Sequence, residues 1–311
     1  MMTALIFSLA ANIAVFGADQ ALPGRIAITA DGDSADPDDW AATPMELALL
    51  AKSGLMDRLV HLDYNNKYGC IYSTDSSRTE HTYAYYMKAS VLGAAEVFGC
   101  ESNLFFDGRV ESERHSAKNN LTAEVLKATR DDPLYIVVNG AYNLLYEVFE
   151  PLASDRSLYH VIDHVFLIQH STNNENATSC GNGKNLSDLR EIIDGNYELK
   201  TIKIPGQGKT LNNHHITPDE AGFEWLKSSP CLAYNYVYDQ IYEVWDETDL
   251  RDAPKRLSKS DISDSGMMMY LVKRLTTSED RAVLQNTQWV VSDFEAILGS
   301  SFKGCKTRNG E

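Results

Sequence analysis

The chain has 311 residues, of which 43% are hydrophobic, and it carries a formal net charge of −16 at pH 7. This length and apolar content suffice to bury the core of one large domain or of two small ones. Because the charge is strongly acidic and no basic run is present, the composition argues against nucleic acid as a partner.

The N-terminal segment has the pattern of a secretory signal peptide. An apolar run over residues 4–16 is too short to cross a bilayer as a helix, and the small residues Gly17 and Ala18 follow it. The alternative is a buried first helix, because no basic residue precedes the run. We expect residues 1–18 to be a signal peptide and the mature protein to be secreted or periplasmic, without a membrane-spanning segment.

The rest of the chain alternates apolar runs with segments of helical pattern. Strands are predicted at residues 25–30, 58–62, 103–106, 134–138 and 160–168. Helices are predicted from Thr43 and at residues 79–98, 117–129, 142–152, 218–228, 233–246, 264–275 and 291–298. This order predicts an α/β fold with a mostly parallel sheet and helices on both faces. We expect a single domain over residues 24–300, followed by a C-terminal tail of residues 301–311.

The first helix has an explicit predicted start and end. Thr43, Pro44 and Glu46 fit the N-cap, first and third positions of a capping box. Gly54 suits the C-terminal end of the same helix.

An acidic stretch, TADGDSADPDDW, follows the first predicted strand at residues 29–40 and contains no basic residue. Its five aspartates are Asp31, Asp33, Asp36, Asp38 and Asp39. Clustered carboxylates repel one another unless they share protons or a cation binds. A divalent ion with oxygen ligands relieves the repulsion, and Ca²⁺ tolerates irregular loops best. The alternative is a solvated acidic loop in which Asp36 and Pro37 begin a helix.

This stretch resembles the N-terminal signature of the nucleoside hydrolase superfamily, in which a strand runs into an Asp-rich loop ending in Asp-Asp. Residues 133–143, PLYIVVNGAYN, are similar to the family's strand followed by Gly-x-x-x-Asn. Residues 169–176, QHSTNNEN, occupy the place of its polar substrate loop, and residues 263–267, SDSGM, resemble its late Asp-bearing segment. The likeness is closest to nucleoside hydrolase-like domains of secreted bacterial proteins, some linked to polysaccharide degradation.

The resemblance implies a calcium site and a general base. Asp31 would bind the ion and take a proton from the attacking water, while Asp39 and Asp264 would be further ligands. A backbone carbonyl near Val138 or Asn139 would complete the protein ligands. Because the acidic loop looks one residue longer than the usual form, Asp33 is an alternative to Asp31 in either role.

The resemblance also implies a sugar-binding set. Asp38 would bind sugar hydroxyls, and the polar substrate loop would supply Asn174, Glu175 and Asn176. The expected partner is therefore a sugar-containing small molecule or a glycan.

These roles predict a calcium-dependent hydrolase of a glycosidic bond, N-ribosyl or within a glycan, with an oxocarbenium-like transition state. Ser263 stands where many nucleoside hydrolases have a histidine that helps the base leave. His170, His214 and His215 are candidate replacements, although each is more often a structural histidine. The alternative function is a non-catalytic carbohydrate-binding module on the same scaffold.

Cysteines and late aromatic residues leave two further expectations. Five cysteines in an exported chain would allow two disulfides and one free thiol. A group of aromatic residues with helical spacing would form either a sugar-stacking platform or, as that spacing favours, part of the core. The group consists of Trp225, Tyr234, Tyr236, Tyr238, Tyr242 and Trp245.

Overall fold

The computed structural model describes residues 22–32, 37–66, 80–170, 172, 175, 183–193, 199–211, 222–247 and 261–307. Six strands form one sheet: β1 (Arg25–Thr29), β2 (Leu59–Tyr64), β3 (Phe105–Asp107), β4 (Leu134–Val138), β5 (Val165–Gln169) and β6 (Lys200–Lys203). Their order is β3-β2-β1-β4-β5-β6, and every neighbouring pair is parallel. The predicted parallel sheet is confirmed.

The helices lie between and after the strands. They are α1 (Pro37–Lys52), α2 (Glu80–Phe98), α3 (Glu111–Leu126), α4 (Asn143–Ala153), α5 (Tyr159–Ile162), α6 (Leu186–Ile192), α7 (Glu224–Lys227), α8 (Leu232–Glu247), α9 (Ser265–Thr276), α10 (Arg281–Gln285) and α11 (Val291–Leu298). Among the described residues, no helix is long and apolar enough to span a membrane.

Both faces of the sheet are covered, as the α/β prediction requires. Ile26 and Ile28 of β1 belong to a buried cluster that contains residues of α1, α2, α8, α9 and α11. Ala27, between them, belongs to a second cluster built with α3, α4, α5 and α6. Successive side chains of a strand point to opposite faces, so strands buried on both faces read as continuous apolar runs.

The predicted start of the first helix is wrong. Helix α1 begins at Pro37, as in the alternative reading of the acidic loop, and Pro44 lies inside it. Pro44 has no N–H to donate to the carbonyl of Trp40, one turn earlier. The hydroxyl of Ser90 donates to that carbonyl instead, at 2.5 Å. The predicted end is confirmed: Gly54 follows the helix with φ at +66°.

Other boundaries differ where local signals are ambiguous. The helix predicted at 117–129 begins earlier, at Glu111, and the strand predicted at 160–168 is divided into α5 and β5. Short apolar runs fit either helix or strand, so periodicity alone did not separate α5 from β5. Strand β6 was not predicted, because only Ile202 of its four residues is buried and no apolar run marks it.

The late aromatic residues pack in the core, so the core interpretation is confirmed for those that are described. Tyr234 is buried, and the hydroxyl of Tyr236 donates to the carbonyl of Ser90 at 2.9 Å. Three others pack, partly buried, against the same cluster: Trp225, Tyr238 and Tyr242. The side chain of Trp245 lies outside the described residues.

A disulfide joins Cys231 to Cys305 and ties the end of the chain to the start of α8. Next to it, the N–H of Leu232 donates to the carbonyl of Lys306 at 3.0 Å. Among the described cysteines, Cys100 keeps a free thiol, whereas Cys70 and Cys180 lie outside the described residues. Residues 301–307 are therefore attached to the domain.

The strand order reverses between β1 and β4, which creates a switch point in the sheet. From β1 the chain builds outwards to β3 and then returns to form β4 on the other side of β1. In open parallel sheets, ligands bind beyond the carboxyl ends of the strands at such a point. The loops after β1 and β4 meet here, and the N–H of Asn139 donates to the carbonyl of Thr29 at 2.9 Å.

Candidate metal centre

Asp31 lies at the switch point, two residues after the end of β1, and its exposed fraction is 6%. It packs directly on Gly140, in the loop after β4. A Cβ atom added to Gly140 would lie 2.4 Å from Asp31 Cγ, so only glycine leaves room for this carboxylate. The chain then turns at Gly32, whose φ of +85° favours glycine. Asp33 lies outside the described residues.

Val138, the residue whose carbonyl is expected to bind the ion, is the last residue of β4. It is buried and lies in register with Thr29 at the end of β1. Strands β1 and β4 therefore end at the same level of the sheet, next to the loop that carries Asp31.

Asp38 and Asp39 occupy the first turn of α1, where negative charge is favourable. Both are buried rather than solvated, so the alternative of a solvated acidic loop is wrong for them. Asp38 accepts two hydrogen bonds from a distant part of the chain. Ser263 Oγ donates to Asp38 Oδ2 at 2.6 Å, and the N–H of Asp264 donates to Asp38 Oδ1 at 3.0 Å. Asp38 thus joins the start of α1 to the start of α9.

Asp264 is also bound to His170, which directly follows β5. His170 Nε2 lies 2.7 Å from Asp264 Oδ1, and the N–H of Gln207 donates to His170 Nδ1 at 3.2 Å. Burial lowers the pKa of His170 to about 4, against the opposing effect of Asp261. The ring is therefore neutral at pH 7.

Asp38, His170 and Asp264 offer ligand atoms that lie within 4.8 Å of one another, and all three residues are buried. The three come from the first turn of α1, from the residue after β5 and from the residue before α9, so the fold brings them to one edge of the sheet. The predicted ligands Asp31 and Asp39 do not belong to this group. Sequence reasoning named His170 only as a candidate leaving-group acid and missed its contact with Asp264. The available signal was its position directly after a predicted strand.

Glu46 of α1 is hydrogen-bonded to Asn139, the first residue after β4. Asn139 Nδ2 donates to Glu46 Oε1 at 2.9 Å. Burial raises the pKa of Glu46 to about 8, although the Asn139 hydrogen bond opposes this change. Glu46 is therefore mostly protonated at pH 7 and adds little negative charge to the site. It is a buried residue of the sheet-facing side of α1 and not part of a capping box.

Glu175, a predicted sugar contact, is held at the carboxyl ends of β5 and β6. Gln169 Nε2 donates to Glu175 Oε1 at 2.6 Å, and Lys203 forms an ion pair with Glu175 Oε2. Desolvation acts to raise the pKa of Glu175, but Lys203 and Gln169 together outweigh it and lower the pKa. Four other candidates lie outside the described residues: Asn174, Asn176, His214 and His215.

Comparison with known proteins gives similarity to a relative but no family assignment. No protein-family model matches the chain, and no solved structure matches it. A protein of Formosa agariphila described as "Uncharacterized protein P22" is 28% identical over 258 residues, which span 81% of this chain and 85% of the relative. The similarity thus extends over most of both proteins, and its description names no substrate or reaction.

Proposed function

We propose that this protein is a nucleoside hydrolase-like, calcium-dependent hydrolase of a glycosidic bond, N-ribosyl or within a glycan. The proposal is carried by the contact between Asp38 and Asp264, which lie far apart in sequence and meet at the carboxyl edge of the sheet. Asp31 stands at the same edge, at the switch point. Ligands of open parallel sheets bind at this position.

The proposed ligands are of the chemical type that binds Ca²⁺. Asp31, Asp39 and Asp264 are buried carboxylates, and burying such groups is costly unless a cation or hydrogen bonds compensate. Hard oxygen ligands of this kind are those that calcium prefers. Gly140, in the loop after β4, leaves space for the carboxylate of Asp31, which supports a ligand at this position.

Dinucleotide binding is a weaker alternative, although doubly wound folds with this strand order commonly perform it. Their loop after the first strand is glycine-rich and leads the pyrophosphate to a helix N-terminus. Here the corresponding loop carries Asp31, and Asp38 and Asp39 fill the first turn of α1. These carboxylates would repel a pyrophosphate.

Each residue of the candidate site would have a separate role in hydrolysis. Asp31, Asp39, Asp264 and the carbonyl of Val138 would hold the ion. When bound, calcium would lower the pKa of a water molecule next to it. Asp31 would accept the proton from that water as it attacks the anomeric carbon. Sugar hydroxyls would be held by Asp38, together with Asn174, Glu175 and Asn176.

Two side chains next to Asp38 and Asp264 bear on how the leaving group would be protonated. The Ser263 hydroxyl donates to Asp38, and His170 is a neutral ring hydrogen-bonded to Asp264. Neither group is arranged as an acid for a departing base. This observation favours the second candidate function, a carbohydrate-binding module that keeps the metal site without turnover.

We also propose that the protein works outside the cytoplasm, after loss of residues 1–18. The Cys231–Cys305 disulfide supports this, because disulfides persist in oxidising compartments and are rare in the cytosol.

A release assay separates the two functions. Metal-stripped protein is incubated with a panel of nucleosides and oligosaccharides, with calcium chloride or with chelator, and nucleobase and reducing-sugar release are measured. Release that requires calcium supports the hydrolase. Calcium-dependent retention on a glycan without release supports the binding module, and the absence of any calcium effect contradicts both.

A further inference from the structure

We infer that His170 is a positioning residue: its Nε2–H orients the carboxylate of Asp264, and the imidazole does not itself bind the ion. His170 would act at the calcium site proposed above, on which this inference rests. The competing arrangement is a mixed nitrogen and oxygen site in which Asp38, His170 and Asp264 all bind one metal, as their mutual distances allow.

The tautomer of His170 decides between these arrangements. A backbone N–H can only donate, so the bond from Gln207 N–H makes Nδ1 an acceptor without a proton. Because Nδ1 carries no proton, the proton of the ring lies on Nε2. The 2.7 Å contact with Asp264 Oδ1 is therefore an N–H···O hydrogen bond, and the Nε2 lone pair is not available to a metal.

Hydrogen bonds and packing hold Gln207 in place, so its backbone N–H stays directed at His170 Nδ1 and keeps the tautomer of His170 fixed. Gln207 Nε2 donates to the carbonyl of Pro205 at 2.6 Å, and its Oε1 accepts from the N–H of Trp289 at 2.9 Å. Its side chain also lies against Gly266 of α9, where an added Cβ would be 2.6 Å from Gln207 Cγ. If Nε2 bound a metal, the proton would move to Nδ1, and two donors would face each other at 3.2 Å.

The same hydrogen bond belongs to a continuous chain that holds Asp264. Gln207 N–H binds His170, His170 binds the Asp264 carboxylate, and the Asp264 N–H binds Asp38. Asp264 is thus held at its side chain and at its backbone. Hydrogen bonds that orient a ligating carboxylate in this way commonly contribute about 10–100-fold to metal affinity.

The test is ¹⁵N NMR of the imidazole nitrogens in the full-length protein, metal-free and then saturated with calcium chloride. We expect His170 Nε2 to carry the proton in both states and Nδ1 to carry none. Loss of the Nε2 proton when calcium binds would overturn the inference while leaving the calcium site intact. If the wild type binds no calcium, the proposed function fails and the inference fails with it.

Calcium titration calorimetry of variants supplies the second readout. His170→Leu should weaken calcium binding by about 10–100-fold, whereas His170→Gln, whose amide N–H₂ can donate to Asp264, should recover most of the affinity. The matched control is His160→Leu, because His160 is exposed and bonds only to the carbonyl of Ser157 among the contacts described. Equal affinity of His170→Leu and the wild type would contradict positioning. The NMR measurement on the wild type decides the question if His170→Leu fails to fold.

Discussion

Replacing Gly140 with alanine should move Asp31 without changing any carboxylate. The new Cβ would lie 2.4 Å from Asp31 Cγ and 2.5 Å from Asp31 Cβ, whereas ordinary contacts begin at 3.4 Å. Asp31 must therefore shift by about 1.0 Å, the difference 3.4 − 2.4. Since φ of Gly140 lies outside the left-handed region, alanine adopts the backbone without strain, and the effect is steric.

The expected cost has two parts. Overpacking of this kind lowers the free energy of unfolding by about 1–3 kcal/mol. A shift of about 1 Å in a reacting group lowers turnover by about 10²-fold. Because Asp31 is also a proposed calcium ligand, the calcium affinity of Gly140→Ala should fall as well.

Calorimetric titration with calcium chloride and urea unfolding of metal-free protein measure both effects. Gly208→Ala is the matched control, because a Cβ there meets nothing within 4 Å. We expect Gly140→Ala to bind calcium at least about tenfold more weakly than Gly208→Ala, in line with the loss of a well-placed ligand. Equal calcium affinity of the two variants would refute the placement of Asp31 at the ion.

Three further predictions concern the disulfide, a buried acid and the base. Cys231→Ser should lower the free energy of unfolding by about 3–5 kcal/mol, since the bond closes a long loop of sequence separation 74; Cys100→Ser is the control, and similar urea midpoints for both would contradict the account. Burial raises the pKa of Glu46 from 4.5 to about 8. Its contribution to the free energy of unfolding is therefore full below pH 4.5 and is lost as pH rises through 8, because the unfolded state ionises at the lower pH while the folded state keeps its proton. In chelator, Glu46→Gln should remove this slope of at most about 1.4 kcal/mol per pH unit, and an unchanged slope would assign it to another group. Asp31→Asn should lower turnover on a confirmed substrate by about 10²–10⁴-fold with little change in KM, whereas full turnover would transfer the role to Asp33.

The sheet was predictable because its central strands carry their signal locally. The run at residues 134–138 is apolar at every position, and the structure buries all five residues of β4. Helix α1 shows the limit of such signals. Thr43, Pro44 and Glu46 match a helix start, yet Ser90 of α2 satisfies the carbonyl that Pro44 leaves open. That contact depends on the packing of two helices, which no local pattern contains.

The candidate site divides in the same way. The acidic residues Asp31, Asp38 and Asp39 were identifiable because carboxylates concentrated after a strand need an explanation. The bond between Asp38 and the N–H of Asp264 was not predictable from spacing, because it forms only when α9 packs beside α1. His170 gave still less signal, since a single histidine after a strand has many structural roles. The role of His170 is indicated by its hydrogen bonds with Gln207 and Asp264.

A crystal structure grown with calcium chloride tests the central claim most directly, because it locates the ion. We predict one calcium bound by carboxylate oxygens of Asp31, Asp39 and Asp264 and by the carbonyl of Val138, at about 2.3–2.6 Å. His170 Nε2 should remain hydrogen-bonded to Asp264 Oδ1. An ion bound instead by Asp38, His170 Nε2 and Asp264, or no ion at this edge of the sheet, would contradict the account.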